Sequence, residues 1–385
     1  MQAPLIGING AGIGGLAAAI GLIRAGFRVR VYEQASQFAR VGADINLTPN
    51  AVRALDGLGV GDALRKTAAQ PSHRISRTWD SGEETSRLEM AQTAQTKYGA
   101  PQLTMHRADL LQALEQAVPA ASIALGRKLV SFEAPEGSQT GPIRLTFADG
   151  TQDEVDVLIG ADGIHSVVRT GLFGQESPEF TGVVAYRAVV PADRLKGVPN
   201  LGAFTKWWGP NPSSQIVTFP LNLGRDIFVF ATTPQDSWTL ESWTAPGDVH
   251  ELRAMYADYH PEAQALLAAC DSVLKSALYV RDPLPQWSRD RVSLLGDASH
   301  PMMPFMAQGA GMAIEDAVVL SRHLAAVGPN ADAAALAAAL ARYEASRRER
   351  TARVQIGSRG NQWLKEGGNA DWVYEYDAWQ VPLAA

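Results

Sequence analysis

Three stretches of the chain set glycines and acids at spacings that could handle a phosphorylated ligand. The first is Gly10-x-Gly12-x-x-Gly15, with Glu33 standing 23 positions after its leading glycine. The second is Gly160-Ala161-Asp162-Gly163, and the third runs from Gly296-Asp297 through His300 to Gln308-Gly309-Ala310-Gly311. In the first, Gly10 permits a tight turn, Gly12 lets the backbone approach a pyrophosphate, and Gly15 allows a helix to pack close on a strand. A helix beginning there offers unpaired N–H groups and a positive dipole end to phosphates. Glu33 can accept hydrogen bonds from both ribose hydroxyls, whereas a 2′-phosphate would be repelled. This is the chemistry of dinucleotide binding.

The first stretch alone leaves nicotinamide and flavin dinucleotides open. The third bears on the choice. Gly296-Asp297 follows the apolar run Val292–Leu295, which puts a carboxylate at the carboxyl edge of a sheet, where ligands bind in open α/β folds. A ribityl chain is a natural partner for that acid, and a nicotinamide dinucleotide has none. A helix opening at Gly309 could point its amino end at a flavin's N1–C2=O edge and stabilise the charge carried there after reduction.

The elements that must position these residues are legible in outline. Leu5–Ile8, the glycine turn, a helix over Leu16–Ala25 and Val29–Tyr32 make one β-α-β unit with a right-handed crossover. Helices are expected at Ala51–Leu58 and Ala108–Ala117, and strands near 128–133, 144–148 and 155–159. Residues 73–105 read as strand text with polar breaks. From about 180 to 270 β-branched and aromatic residues dominate (Val183–Val190, Ile216–Pro220, Ile227–Ala231), as in a second, mostly antiparallel domain inserted in the first. A helix follows at Gly309–Val327, and another over 331–356 whose Arg342, Arg347, Arg348, Arg350 and Arg353 should form a solvated face.

Composition narrows the function classes. The 385 residues are 46% hydrophobic and 19% charged with net charge −6, the profile of a globular chain with no electrostatic footprint for nucleic acid or membrane. The single cysteine, Cys270, excludes an intramolecular disulfide, and the histidines follow no metal-ligand spacing, so no metal is expected. With neither a signal-peptide pattern nor a long apolar run, the expected location is cytoplasmic.

Taken together, the glycine fingerprint, Gly160–Arg169 (GADGIHSVVR) and the Gly296-Asp297 segment resemble the single-component FAD-dependent aromatic hydroxylases. The resemblance runs nearly to the end of the chain, through Trp372–Asp377. Lys206-Trp207-Trp208 and Met306–Ala310 point to the hydroxynicotinate and salicylate hydroxylase branch. It implies an α/β fold: a Rossmann-like FAD-binding domain from residues 1–72, 101–180 and 271–360, an inserted β-sheet substrate domain from 73–100 and 181–270, and C-terminal helices followed by a segment 361–385. It further implies that FAD is held by Gly10, Gly12, Gly14, Gly15, Glu33, Gln34, Arg40, Arg107, Asp162, Arg169, Asp297, Pro304, Gly309 and Ala310. NAD(P)H would be a visiting co-substrate, since no second glycine fingerprint occurs. The implied reaction is hydroxylation of a small phenol or hydroxypyridine by dioxygen, through a flavin C4a-hydroperoxide, by a monomer or homodimer. A flavin-dependent NAD(P)H oxidoreductase, a monooxygenase of non-phenolic substrates, a nicotinamide-dependent dehydrogenase and a non-catalytic flavin-binding protein are the alternatives.

The substrate side departs from that branch. Where the branch carries histidines near the ring, this chain has Asn46, a poor base, and Phe305; a tyrosine there falls near Val217 or Thr218, and a cysteine near Phe204. A more apolar pocket is therefore expected. Asn46, Tyr186, Trp208, Val217, Thr218 and Phe305 are the candidate substrate contacts, with Arg187 beside Tyr186 able to bind a ring carboxylate. His300 and Asn46 are the candidates for the reacting centre, His300 reading first as a structural or cofactor-edge residue and only second as a proton-transfer group.

Overall fold

The computed structural model describes residues 3–38, 44–135, 141–239, 242, 245–360, 365 and 369–384. A six-stranded sheet runs in the order Ser288–Arg289, Val292–Leu294, Val157–Gly160, Leu5–Asn9, Arg28–Tyr32, Ile123–Ala124. Its pairs are parallel except at the Ser288–Arg289 edge. Ile6, Ile8, Leu158 and Ile159 are fully buried because both faces of the sheet are covered, by helices and by a three-stranded antiparallel sheet (Leu129–Glu133, Ile143–Phe147, Gln152–Val155) whose Val155 and Phe147 meet Gly7 and Tyr32. The Ile13–Arg24 and Gly309–Val327 helices pack together in the main core. The second of these has the bounds that the sequence pattern predicts.

The second sheet has eight strands, in the order Pro246–Gly247, Val273–Val280, Glu179–Pro191, Asp226–Pro234, Gln215–Leu221, Phe204–Trp208, His73–Thr78, Glu84–Glu89. It is antiparallel except between Phe204–Trp208 and His73–Thr78. Strand alternation gives it two dissimilar faces. On the outer face Val184, Tyr186, Trp207, Ile216 and Val229 pack with Leu252 and Leu266 of the Val249–Met255 and Pro261–Ala268 helices. On the inner face Val183, Ala185 and Leu278 meet Met303 and Phe305, beside a cluster of Phe204, Val217, Phe219 and Phe228.

Several expectations are corrected. Within the stretch read as strand text lies a helix, Ala91–Tyr98, and the two outer helices interrupt what reads as pure sheet. Val273–Val280, grouped by sequence with the nucleotide-binding unit, pairs with Glu179–Pro191 in the second sheet. The Ala333–Arg359 helix does not expose all its arginines. Arg347 is fully buried, with Nη2 2.8 Å from Glu315 and Nε 2.7 Å from Asp316.

Candidate functional site

The glycine turn and the acidic turns meet at the carboxyl edge of the parallel sheet. Gly10 has φ +111° and is pressed against Ala161, at the end of the neighbouring strand, so only glycine fits there. Gly12 is different. It caps the Ile13–Arg24 helix in extended conformation with no capping side chain, and a Cβ placed on it would meet nothing within 4 Å. The helix amino end therefore faces open space. Glu33 accepts from the Ala11 and Ala35 amides, both at 2.9 Å, which fixes its carboxylate beside the turn; Gln34 is exposed next to it. Gly14 and Gly296 both lie against Ala313, bringing the first and third stretches together. Arg40 lies outside the described residues.

Asp162 organises its own turn. Its carboxylate accepts from Asn9 Nδ2 (2.8 Å), Ser166 Oγ (2.5 Å) and the Val167 amide (2.8 Å). Burial raises its pKa against these bonds. Arg169 is buried and bonds Glu176 at 2.6 Å and the Ala298 carbonyl at 3.5 Å, tying this segment to the Gly296-Asp297 turn. His165 is exposed.

Asp297 combines an exposed side chain with an environment enclosed enough that burial raises its pKa, with His300 and Arg107 pulling the other way. The carboxylate is thus open on one side and hemmed in by protein on the others. Arg107, the first residue of the Arg107–Ala117 helix, also acts on Asp44, which Arg187 faces from the substrate sheet. Burial nevertheless pushes the Asp44 carboxyl up to about 7. Asp44 was not singled out by sequence as a site residue; its signal is its alternation with Asn46 just ahead of a short strand. The Gly309–Val327 helix opens with no capping side chain and no acid in its first turn, and Gly309 and Ala310 are only partly covered. Pro304 is exposed just before it.

Two expectations about the reacting centre meet a different geometry. His300 is 1% exposed, and its Nε2 lies 2.6 Å from Asp316 Oδ2. It anchors the Gly296-Asp297 turn from behind, which removes it from contact with a ring in the cleft. Burial works to raise the Asp316 pKa, but the charges of His300 and Arg347 outweigh it and hold the carboxyl below its ordinary range. Glu315 is held down in the same way by Arg350 and Arg347. Sequence reasoning missed this network because its members look like an ordinary charged helix pair. Asn46 is buried and accepts from Gln102 Nε2 at 2.7 Å.

Strand phase sorts the remaining substrate candidates. Val217, Trp208 and Phe305 lie on the inner side: Lys206 Nζ stands 3.6 Å from the Trp208 ring centre and 5.9 Å from that of Phe305. Burial, then Arg74 and Lys365, lower the Lys206 pKa well below its usual value. Tyr186 and Thr218 are corrections. Tyr186 packs in the outer cluster, 3.7 Å from Met255 Sδ, and Thr218 alternates with Val217 onto the same outer side. Arg187 faces inward instead, bonding Ser276 Oγ at 2.9 Å.

The residues present fit a flavin dinucleotide. Gly12 leaves room for a pyrophosphate, two uncapped helix ends supply N–H groups, and Asp297 lines the cleft between them. No described helix is long and apolar enough to cross a membrane.

Comparison with known proteins agrees with this geometry. The family model described as "FAD binding domain" matches residues 4–357. The chain is 40% identical over 380 residues to 6-hydroxynicotinate 3-monooxygenase of Bordetella bronchiseptica, covering 99% of this chain and 97% of that one. It is 35% identical over 359 residues to 3-hydroxybenzoate 6-hydroxylase of Klebsiella oxytoca, covering 91% and 86%. Among solved structures, a salicylate hydroxylase substrate complex superposes with a TM-score of 0.83 at 26% identity, covering 98% and 96%. Klebsiella pneumoniae HpxO complexed with FAD and uric acid does so with 0.81 at 27%, covering 97% and 93%.

Proposed function

Because this chain belongs to the FAD-binding-domain family of single-component aromatic hydroxylases, we propose that it hydroxylates a small phenol or hydroxypyridine using NAD(P)H and dioxygen. The observation that carries this reading is the meeting of two uncapped helix ends and Asp297 in one cleft roofed by an aromatic sheet face. Bound FAD supplies the redox chemistry, accepting hydride and activating oxygen for transfer to an electron-rich ring.

The chain's own residues have simpler tasks. The backbone at Gly12 receives the pyrophosphate, Glu33 the ribose and Asp297 the ribityl hydroxyls, with Arg107 balancing the charge nearby. The amino end of the Gly309–Val327 helix favours negative charge on the flavin edge it faces. Phe204, Val217, Phe305 and Trp208 form an apolar wall that keeps water from the reacting atoms. On that side Asp44, not Asn46, is the group able to hold a proton near neutrality and so to accept one from a ring hydroxyl. NAD(P)H visits without a glycine-rich domain of its own. The protein works in the cytoplasm as a monomer or homodimer.

The test is direct. Purified protein is expected to take up FAD stoichiometrically and to oxidise NAD(P)H faster when a phenol or hydroxypyridine is present, releasing a hydroxylated product. A protein without flavin absorption that cannot be loaded with FAD overturns the proposal.

A further inference from the structure

Two helices begin side by side without the caps that the residues before them could supply. Thr48 precedes the nine-residue Pro49–Gly57 helix and Gln308 the nineteen-residue Gly309–Val327 helix, yet neither side chain caps its own helix. Threonine is ordinarily a good cap, accepting from an amide two or three positions on. Here the two side chains are spent on each other. Gln308 Nε2 donates to Thr48 Oγ1 at 2.8 Å, and Thr48 Oγ1 donates to Asn50 Oδ1 at 2.7 Å. Asn50 Nδ2 donates to Gln308 Oε1 at 3.0 Å, which closes a ring. All three residues are buried, Asn50 and Gln308 completely.

The direction of the ring is forced. Asn50 Nδ2 also stands 2.7 Å from Glu315 Oε1. Against burial, Arg350 and Arg347 hold Glu315 below the ordinary carboxylate range, so it accepts and never donates. The Asn50 atom facing it is therefore the amide nitrogen, whose second hydrogen goes to Gln308. That turns the Gln308 oxygen toward Asn50 and its nitrogen toward Thr48, and it leaves Asn50 Oδ1 for the Thr48 hydrogen. Two arginines thus decide, through one acid, how the glutamine at the head of the Gly309–Val327 helix is turned.

The orientation matters because of what lies beside that oxygen. Gln308 Oε1 is 3.1 Å from where a Cβ on Gly311, the third residue of its own helix, would stand. The Gly309, Ala310 and Gly311 amides have no acceptor within the helix; the first such bond runs from the Met312 amide to the Gln308 carbonyl, at 2.7 Å. Freed from Asn50, Oε1 would be a buried acceptor without a donor, beside amides without an acceptor. We propose that Asn50 and Thr48 are positioning residues for the flavin, holding the Gln308 carboxamide off its own helix so that the helix end stays open to negative charge on the reduced ring. This rests on the function proposed above.

The experiment is a reductive titration of FAD-loaded protein against an indicator dye, which reads the midpoint potential. Capping the helix end should take about 5- to 30-fold off the preference for reduced flavin, or about 20–45 mV for a two-electron couple. Asn50→Leu frees the Gln308 oxygen and is expected to lower the potential by that amount with FAD stoichiometry unchanged. Adding Gln308→Met removes the oxygen and should restore the potential of the unaltered protein, which loosened packing alone would not do. An unchanged potential in Asn50→Leu, or a low one that persists in the double variant, overturns the proposal. If Asn50→Leu folds poorly, Thr48→Val, which releases Gln308 from its other end, must lower the potential and Thr48→Ser must not. Ring hydroxylation by protein whose potential ignores these changes would refute this inference alone. The expected shifts without ring-stimulated NAD(P)H oxidation would refute the functional reading alone.

Discussion

Replacing Gly12 by alanine separates the needs of the fold from those of the ligand. Gly12 sits at φ −73° and ψ −177°, a conformation alanine adopts freely, and its added methyl would touch no protein atom within 4 Å. Alanine is a poorer helix cap than glycine by about 1 kcal/mol, while stiffening the unfolded chain returns about 0.4–1 kcal/mol. The two nearly cancel, so the apoprotein should melt within about 2 °C of the unaltered chain. The cofactor meets the methyl where its pyrophosphate must approach the backbone. An intruding methyl costs about 1–3 kcal/mol, which is roughly 5- to 150-fold in Kd. Quenching of flavin fluorescence on titrating apoprotein with FAD measures the affinity, and thermal melting of the same sample measures the fold. Gly15→Ala is the contrast: its Cβ would fall inside the contact radius of the Gly10 carbonyl oxygen, so the fold itself should suffer. If Gly12→Ala binds FAD as tightly as the unaltered chain, the phosphate does not sit at this helix end and the cleft has been read wrongly.

Asp297→Ala should weaken FAD retention on gel filtration and slow flavin reduction by NAD(P)H; unchanged occupancy and rate would contradict its place in the cleft. Arg347→Met leaves Glu315 and Asp316 buried without their shared cation, an expected loss of about 3–5 kcal/mol in chemical denaturation, and a loss below 1 kcal/mol would mean the two acids find other partners. Asp44 titrates near 7 in the folded chain against about 4 when unfolded, so the folded state holds the extra proton between those values. Its contribution to apoprotein stability should therefore decline as pH rises from about 4 to 7, and Asp44→Asn should melt higher than the unaltered chain at pH 8 but not at pH 4. Asp316 and Glu315 act oppositely: their stabilisation is full above the ordinary carboxylate range and is lost in acid, as melting curves below pH 4 would register.

What the sequence made legible was local. The β-α-β unit and the Gly309–Val327 helix announce themselves because turn, cap and apolar run are neighbours in the chain. Asp297 was readable because a strand ending in Gly-Asp has only one edge to stand on. The inner and outer faces of the second sheet were not readable, because every other residue is apolar on both sides and only the outer helices decide which is which. Hence Tyr186 and Thr218 looked as eligible as Arg187 and Val217. The same holds for Arg347, whose surroundings come from another helix 31 positions away.

The chain Asp297–His300–Asp316–Arg347 has a further consequence for how the molecule is assembled. The turn that completes the ligand cleft is braced by a guanidinium contributed from the Ala333–Arg359 helix, near the end of the polypeptide. A nascent chain halted before that helix would already possess the glycine fingerprint yet hold Glu315 and Asp316 in a dry interior without their arginines, with Asn50 and His300 beside them. Competence to retain a nucleotide should thus arrive late in synthesis, as a property of the finished fold and not of its amino-terminal β-α-β unit.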